Sequence, residues 1–226
     1  MIGVEPRPAH LSGGIWQSAR MAATSGARGQ RPNKHVERRE ATRAGLLELG
    51  AERFPVKGYA STTIDDIVRD SPYGRGAFYF HFTSKEEFFL EVLRARTEAR
   101  PNWHEAARDP KLTTARAIVD ASMARLAPQR TSSSPWPLLV SDFLSSLPGD
   151  SEFRKSFDEI RESWIEELTS WLDIVDERGF YRSRRPKREV AIAMLAVSDG
   201  FLFQRHQGHV DEGLYPVLVT YLLEDV

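Results

Sequence analysis

Polar and aromatic side chains between Arg75 and Lys85 are the groups in this chain best suited to do chemistry. The guanidinium of Arg75 can donate two parallel hydrogen bonds to guanine O6 and N7, or can instead hold a phosphate. Tyr79, His81 and Lys85 have polar tips that suit phosphate oxygens. These residue types favour recognition of DNA. The alternative is that Tyr79 and His81 are simply half-buried residues of a helix.

Two short helices joined by a tight turn are predicted to position these side chains. Thr62 and Thr63 each precede an aspartate by three residues, so either can form the capping box that begins the first helix. Pro72 breaks that helix. Phe78 and Phe82, four residues apart, indicate the second helix. In a helix-turn-helix, the second helix lies in the major groove with its first residues against base edges.

The predicted DNA contacts come from the cap of the first short helix, from the second helix and from the start of the next one. They are Thr62, Thr63, Arg75, Gly76, Ala77, Tyr79, His81 and Lys85. One of the two threonines is expected to face a phosphate in addition to its capping role. Double-stranded DNA is therefore the expected partner of this segment.

The segment from about Ala41 to Leu93 resembles the DNA-binding domain of the TetR family of transcriptional regulators. The match runs in order and without a gap through Phe54, Gly58-Tyr59, Thr62-Thr63-Ile64, Asp66-Ile67, Arg75-Gly76, Tyr79, His81-Phe82 and Ser84-Lys85-Glu86. The resemblance implies an all-α fold: an N-terminal three-helix helix-turn-helix DNA-binding domain and a larger C-terminal helical domain for ligand binding and dimerisation. It also implies a homodimeric repressor that a small effector releases from DNA.

Three residues of the turn depart from the family pattern. Pro72 stands where the family usually has Gly, and Tyr73 and Gly74 stand where it often has a small apolar residue followed by Ser or Thr. Gly74 has no hydroxyl to cap the second helix, and Pro72 has a fixed φ and lacks an N–H. The turn is therefore expected to be built differently.

Composition divides the chain into three predicted parts: a disordered basic extension over residues 1–35, the DNA-binding domain over 36–99, and an effector-binding and dimerisation domain over 100–226. The net charge of −1 is uneven, because residues 1–100 carry +4 and residues 101–226 carry −5. A polyanion would therefore meet the N-terminal end. A solvated tail beside an ordinary acidic domain explains the same charges.

Large apolar side chains recur at helical spacing after residue 100 and suggest a pocket for a hydrophobic or aromatic effector. The candidate ligand-binding residues are Met123, Trp136, Phe143, Trp164 and Phe201. Ordinary core packing is the alternative for each of them. If Asp142 faced the interior, its charge would favour a cationic ligand. An outward orientation is slightly favoured and would carry no such meaning.

Two C-terminal helices, predicted over residues 187–206 and 213–224, are apolar on more than one face. A single small core cannot cover both faces, so pairing with a second copy of the chain is expected. A two-fold homodimer would match a palindromic operator.

The sequence predicts no cofactor, no metal site and no membrane partner. It has no cysteine, no apolar run long enough to span a bilayer and no signal-peptide core, so a cytoplasmic protein is expected. His206 and His209 alone are a poor metal signal. Two other functions are kept as alternatives. One is a DNA-binding helical protein without an effector. The other is an all-α enzyme, for which the sequence shows no arrangement of nucleophile, base and acid.

Overall fold

The computed structural model describes residues 34–126, 136–206, 208 and 213–224, and within these ranges it contains ten α-helices and no strand. The helices are α1 Lys34–Lys57, α2 Ile64–Val68, α3 Arg75–His81, α4 Lys85–Glu98, α5 His104–Ala107, α6 Ala115–Leu126, α7 Trp136–Ser146, α8 Glu152–Glu177, α9 Lys187–His206 and α10 Leu214–Leu223. The all-α prediction is confirmed. The predicted extension over residues 1–35 lies almost wholly outside the described residues.

Local signals set the bounds of the first helices. Helix α1 ends at Lys57 because Gly58 has a φ of 85°, a left-handed conformation that glycine adopts without strain. Of the two possible capping boxes, the one formed is that of Thr63 with Asp66. Each of these residues binds the backbone N–H of the other, which satisfies two donors at the start of α2.

The turn between α2 and α3 takes an uncommon form, as the departures at Pro72 and Gly74 suggest. Asp70 adopts the left-handed φ of 55°, and the Ser71 hydroxyl accepts from the Tyr73 N–H at 3.2 Å. The Tyr73 side chain packs against α1 at Gly45, where a Cβ would lie 2.1 Å from the Tyr73 hydroxyl oxygen. Gly45 therefore leaves room for the tyrosine that this turn carries.

The first of two hydrophobic cores fixes the three N-terminal helices on α4 and extends beyond them. Phe54, Phe78 and Phe88 are fully buried, and the centre of the Phe88 ring lies 6.0 Å from that of Phe54 and 5.0 Å from that of Phe78. Phe143 of α7 and Phe157 of α8 belong to the same core. The DNA-binding helices therefore share their core with the C-terminal helices.

The second core joins α5, α6, α8, α9 and α10. Trp171 is fully buried there, and its Nε1 donates to the buried Ser122 hydroxyl at 3.1 Å. Within the described ranges, no helix is both long enough and apolar enough to cross a bilayer. His209 and the side chain of His206 are not among the parts that the structure describes. The described residues include no cluster able to hold a metal ion.

Candidate DNA interface and cavity

Helix α3 presents a polar and aromatic outer face to solvent. Arg75 and Gly76 are exposed at its start, and the Tyr79 and Phe80 side chains are 50% and 66% exposed. Phe78, on the opposite face, is fully buried and anchors the helix to α4. A helix held on one side and open on the other suits insertion into a major groove.

Arg75 is exposed but already has a partner. Its guanidinium donates to Asp65 of α2 at 2.8 Å and lies 5.9 Å from the centre of the Tyr79 ring. Both charged side chains of the pair are 58% exposed, so water screens the attraction and the pair can open at little cost. The pair holds Arg75 and Tyr79 on the same exposed face.

His81 closes α3 beside the arginines of α1. Burial lowers the pKa of His81, and the positive charges of Arg39 and Arg43 lower it further. The imidazole is therefore neutral at neutral pH, and the positive charge at this end of α3 comes from Arg39 and Arg43. His81 is half-buried, as the alternative interpretation had it, although its ring remains close to the exposed face.

The structure separates the two threonines. Thr62 is fully buried, and its hydroxyl donates to the Gly58 carbonyl at 2.6 Å, so a phosphate cannot reach it. Thr63 is exposed, and its hydroxyl bonds to Asp66 at 2.7 Å as part of the capping box. The expectation that a threonine faces DNA therefore rests on Thr63, and Thr62 is corrected to a residue that holds the turn.

Lys85 also has a structural role that the sequence did not indicate. Its ammonium donates to the carbonyls of Tyr59 at 3.1 Å, Ala60 at 3.4 Å and Thr62 at 3.2 Å, and lies 4.4 Å from the centre of the Tyr59 ring. An ammonium has three N–H donors, and all three are engaged. Lys85 therefore clamps the turn before α2 to the start of α4, and its predicted contact with a phosphate stays a prediction.

Phe80 and Arg39 belong to the exposed face although sequence reasoning missed them. The Arg39 guanidinium lies 5.2 Å from the centre of the Phe80 ring. The signal for Phe80 was present: Phe78 and Phe82 are both buried, so the residue midway between them must point away from the core. Arg39 lies 41 residues earlier, and no local pattern links it to α3.

A cavity of about 720 Å³ lies among α4, α6, α7, α8 and α9. Three of the predicted ligand-binding residues, Met123, Trp136 and Trp164, line it. That they bind a ligand stays a prediction. Phe143 and Phe201 do not line the cavity, which corrects two of the five candidates. Phe143 is fully buried against Tyr59 and Phe89, and Phe201 packs on Tyr215 in the second core.

Asp142 lies outside the cavity lining but does not simply face solvent. Its Oδ2 accepts a hydrogen bond from the Ala60 backbone N–H at 2.8 Å, in the turn that Lys85 also holds. The sequence slightly favoured an outward-facing Asp142 whose carboxylate has no role. The expected lack of a role is wrong, because the carboxylate holds the turn before α2. Asp142 gives no reason to expect a cationic ligand.

Helix α7 touches both the cavity and the DNA-binding helices. Trp136, Val140 and Leu144 line the cavity. From the same helix, Phe143 contacts the Tyr59 ring with centroids 5.1 Å apart, and Asp142 binds Ala60. Movement of α7 by an occupant of the cavity would thus act directly on the turn before α2.

Four arginines and two carboxylates also line the cavity and were missed from the sequence. They are Arg96, Arg100, Arg154, Arg161, Glu167 and Asp199. A signal existed in α8, where Arg154, Phe157, Arg161, Trp164 and Leu168 follow one another at steps of three and four. That stripe places two arginines on the same helix face as the predicted tryptophan.

Comparison with known proteins decides the family. Residues 46–92 match the family model described as bacterial regulatory proteins, tetR family. The chain belongs to the TetR family of transcriptional regulators. This TetR-family protein is 25% identical over 182 residues to the HTH-type transcriptional regulator YwcC of Bacillus subtilis. The aligned region covers 77% of this chain and 80% of YwcC.

Two further similarities extend over most of the chain. The TetR-family protein is 25% identical over 178 residues to the HTH-type transcriptional repressor AcnR of Corynebacterium efficiens, covering 78% of this chain and 88% of the repressor. The reduced form of Escherichia coli NemR has the same fold, with a TM-score of 0.62 and 18% sequence identity. The superposition covers 80% of this chain and 95% of the NemR chain. The protein is a DNA-binding regulator and not an enzyme.

Proposed function

We propose that this TetR-family protein is a homodimeric repressor that leaves a palindromic operator when a small molecule with a large apolar body occupies the cavity. The observation that carries the proposal is the position of α7. One face of α7 lines the cavity, and Asp142 on the same helix holds the turn before α2 through the Ala60 N–H at 2.8 Å. A regulator of this design would work inside the cell, where its operator is.

The exposed face of α3 supports operator binding. Arg75 suits a base edge, and Tyr79, Thr63 and the backbone at Gly76 and Ala77 are available for phosphates or bases. Arg39 of α1 adds positive charge beside the end of α3. Arg43 lies next to it and pairs with Glu91. Half or more of the hydrogen bonds between proteins and DNA go to the sugar-phosphate backbone, so this charge would set affinity while α3 sets sequence preference.

Exposed apolar side chains on α9 and α10 support a dimer. They are Ile192, Phe203, Leu214 and Tyr221, which are 36%, 43%, 44% and 56% exposed. Clusters of large exposed apolar residues mark association surfaces more often than free surfaces. Two copies related by a two-fold axis would bury these residues and present two α3 helices to one operator.

Release from DNA requires an effector that binds one conformation of the protein better than the other. The cavity is closed on one side by α7, whose Leu139 and Phe143 are buried in the core of the DNA-binding helices. An occupant that shifts α7 would displace the turn held by Asp142 and change the spacing of the two α3 helices. Helix α4, which begins at Lys85 and runs into the cavity wall, gives a second connection.

The test is the reciprocity that such coupling demands. A panel of small molecules is first screened by tryptophan fluorescence, since Trp136 and Trp164 line the cavity. The affinity of the best binder is then measured with and without operator DNA. The proposal expects operator to weaken effector binding by about 5–150-fold, and by the same factor as effector weakens operator binding. Equal effector affinities would leave a DNA-binding protein without induction, the second function considered above.

A further inference from the structure

The cavity wall is positively charged although most of its area is apolar. Four arginines face two carboxylates around it. Glu167 is already engaged, because it accepts from Arg100 at 3.2 Å and from the Trp103 Nε1 at 2.6 Å. Asp199 lies near Arg161, whose charge opposes the rise in the Asp199 pKa that desolvation causes. More cationic than anionic charge is thus left within the wall.

Arg96 is the least compensated of these arginines. Arg154 donates to the Leu144 carbonyl at 2.7 Å, and Arg100 has Glu167. Within the described part of the chain, Arg96 forms no ion pair and no hydrogen bond, and its guanidinium lies 4.0 Å from the centre of the Trp136 ring. Stacking on tryptophan leaves the N–H groups along the guanidinium edge free to donate.

Arg96 and Arg100 form a repeated arrangement along α4. They are one helical turn apart, each lies over a tryptophan that lines the cavity, and Arg100 is 5.6 Å from the centre of the Trp164 ring. Burial, and then the nearby charge of Arg100, lowers the pKa of Arg96 to about 10. A half-buried cation without a counter-ion is unfavourable, and an anion bound beside it would remove that cost.

We propose that the cavity takes an amphipathic carboxylate, with its carboxylate on the guanidinium edge of Arg96 and its apolar body along Trp136, Val140 and Leu144. This inference rests on the proposed effector role of the cavity and specifies the chemistry of its occupant. A guanidinium binds a carboxylate through two parallel N–H···O bonds, which are stronger than bonds between neutral groups. The apolar lining supplies the remaining affinity.

The test uses three probes with one chain length: dodecanoate, dodecanol and dodecyltrimethylammonium. Their affinities for the full-length protein are measured by calorimetry below the concentrations at which each forms micelles. Wild-type protein is expected to bind dodecanoate at least about tenfold more tightly than either of the others, the gain of one charge-assisted pair. An equal or reversed order, or no binding by any of the three, would overturn the proposal.

Substitutions then assign the preference to one side chain. Arg96→Gln is expected to weaken dodecanoate binding about tenfold while changing the affinity for dodecanol less than about threefold. Arg96→Lys keeps the charge but not the paired donors, so its affinity for dodecanoate should lie between those of wild type and Arg96→Gln. Arg94→Gln is the matched control, because Arg94 lies on the same helix, pairs with Glu91 at 2.8 Å and is absent from the cavity lining. Retention of the carboxylate preference in Arg96→Gln would contradict the assignment.

Operator release separates this inference from the function on which it rests. If dodecanoate is preferred but no ligand of the screened panel releases the operator, the induction proposal fails and the ligand class stands. If dodecanol or dodecyltrimethylammonium releases the operator as readily as dodecanoate, the repressor proposal stands and the carboxylate class fails.

Discussion

Phe80 is a large apolar side chain that the folded monomer leaves 66% exposed on α3. In a major groove its ring can contact a thymine methyl group, the apolar feature that distinguishes an A·T pair. Phe80→Ala should therefore relax the preference at one operator position by about 1 kcal/mol, the scale of one buried methylene. Binding to random DNA is the internal control and should change little. An equal loss on operator and random DNA would exclude base contact by Phe80.

His81 makes stability depend on pH through its lowered pKa. Its folded-state pKa lies below the ordinary value of 6.5 because of burial and the charges of Arg39 and Arg43. As pH falls through about 6.5 the unfolded chain takes up the proton first, so the folded state loses stability. Urea titrations at pH 7.5 and 5.5 should show a smaller loss of unfolding free energy in His81→Gln than in wild type. The same loss in both proteins would contradict this linkage.

Several of the site residues could be found from the sequence because their signals are local. The capping box at Thr63, the exposed positions of α3 and the tryptophans of the cavity all follow from spacings of two to four residues. Lys85 differs because its three carbonyl partners lie 23 to 26 residues away. A lysine at a helix start has the same local pattern whether it meets a phosphate or a carbonyl, so only the fold distinguishes them.

At the scale of elements, α7 is the one whose role depends most on distant contacts. Asp142 and Ala60 are separated by 82 residues, and no periodicity within α7 could reveal their hydrogen bond. What the sequence does show is a short apolar helix, and this is correct to within one residue at its C-terminal end. Its division into a cavity face and a DNA-domain face needs the packing of α4 and α8 around it.

The coupling role of α7 leads to a prediction for Asp142→Ala. Loss of the acceptor for the Ala60 N–H should cost about 0.5 kcal/mol of stability, the low end of the range for one hydrogen bond, since the contact is exposed to solvent. It should also reduce the factor by which effector weakens operator binding. Both are measurable, by urea unfolding and by DNA titration with and without effector. Asp150→Ala is the control, because Asp150 is exposed in the turn after α7.

An unchanged coupling factor in Asp142→Ala would contradict the role assigned to α7. The connection through α4 would then remain as the route between cavity and DNA. The core shared by both halves favours α7, because Phe143 packs on Phe89 of α4 as well as on Tyr59.

At the scale of the whole molecule, the exposed apolar residues of α9 and α10 predict dimerisation. Sedimentation at micromolar concentration should show a dimer for wild type. Tyr221 is 56% exposed in the monomer, and Tyr221→Arg would place a charge in the expected dimer interface. This substitution should shift the protein toward monomer and weaken operator binding. Val56→Arg is the control because Val56 is 79% exposed at the end of α1, away from α9 and α10. A wild-type monomer would contradict the prediction.

The overall architecture was predictable because most of the helices carry an apolar pattern of their own, and the order of the helices follows the chain. The cavity was predictable only as an apolar lining, since aromatic stripes look the same whether they fill a core or surround a space. Phe143 and Phe201 illustrate this: both are buried in cores, while Trp136 and Trp164 of the same pattern line the cavity. Which member of a stripe faces a cavity depends on how several helices cross.

Selection of tightly bound sequences from random double-stranded DNA tests the central claim most directly. A two-fold dimer with one α3 helix per half-site should enrich an inverted repeat whose half-sites lie about 10 base pairs apart, or a multiple of that, centre to centre. Tyr79→Ala should recover the same repeat with lower affinity, because its predicted contact is to a phosphate. Enrichment of a single unrepeated motif, or of no sequence, would contradict a dimeric operator-binding regulator.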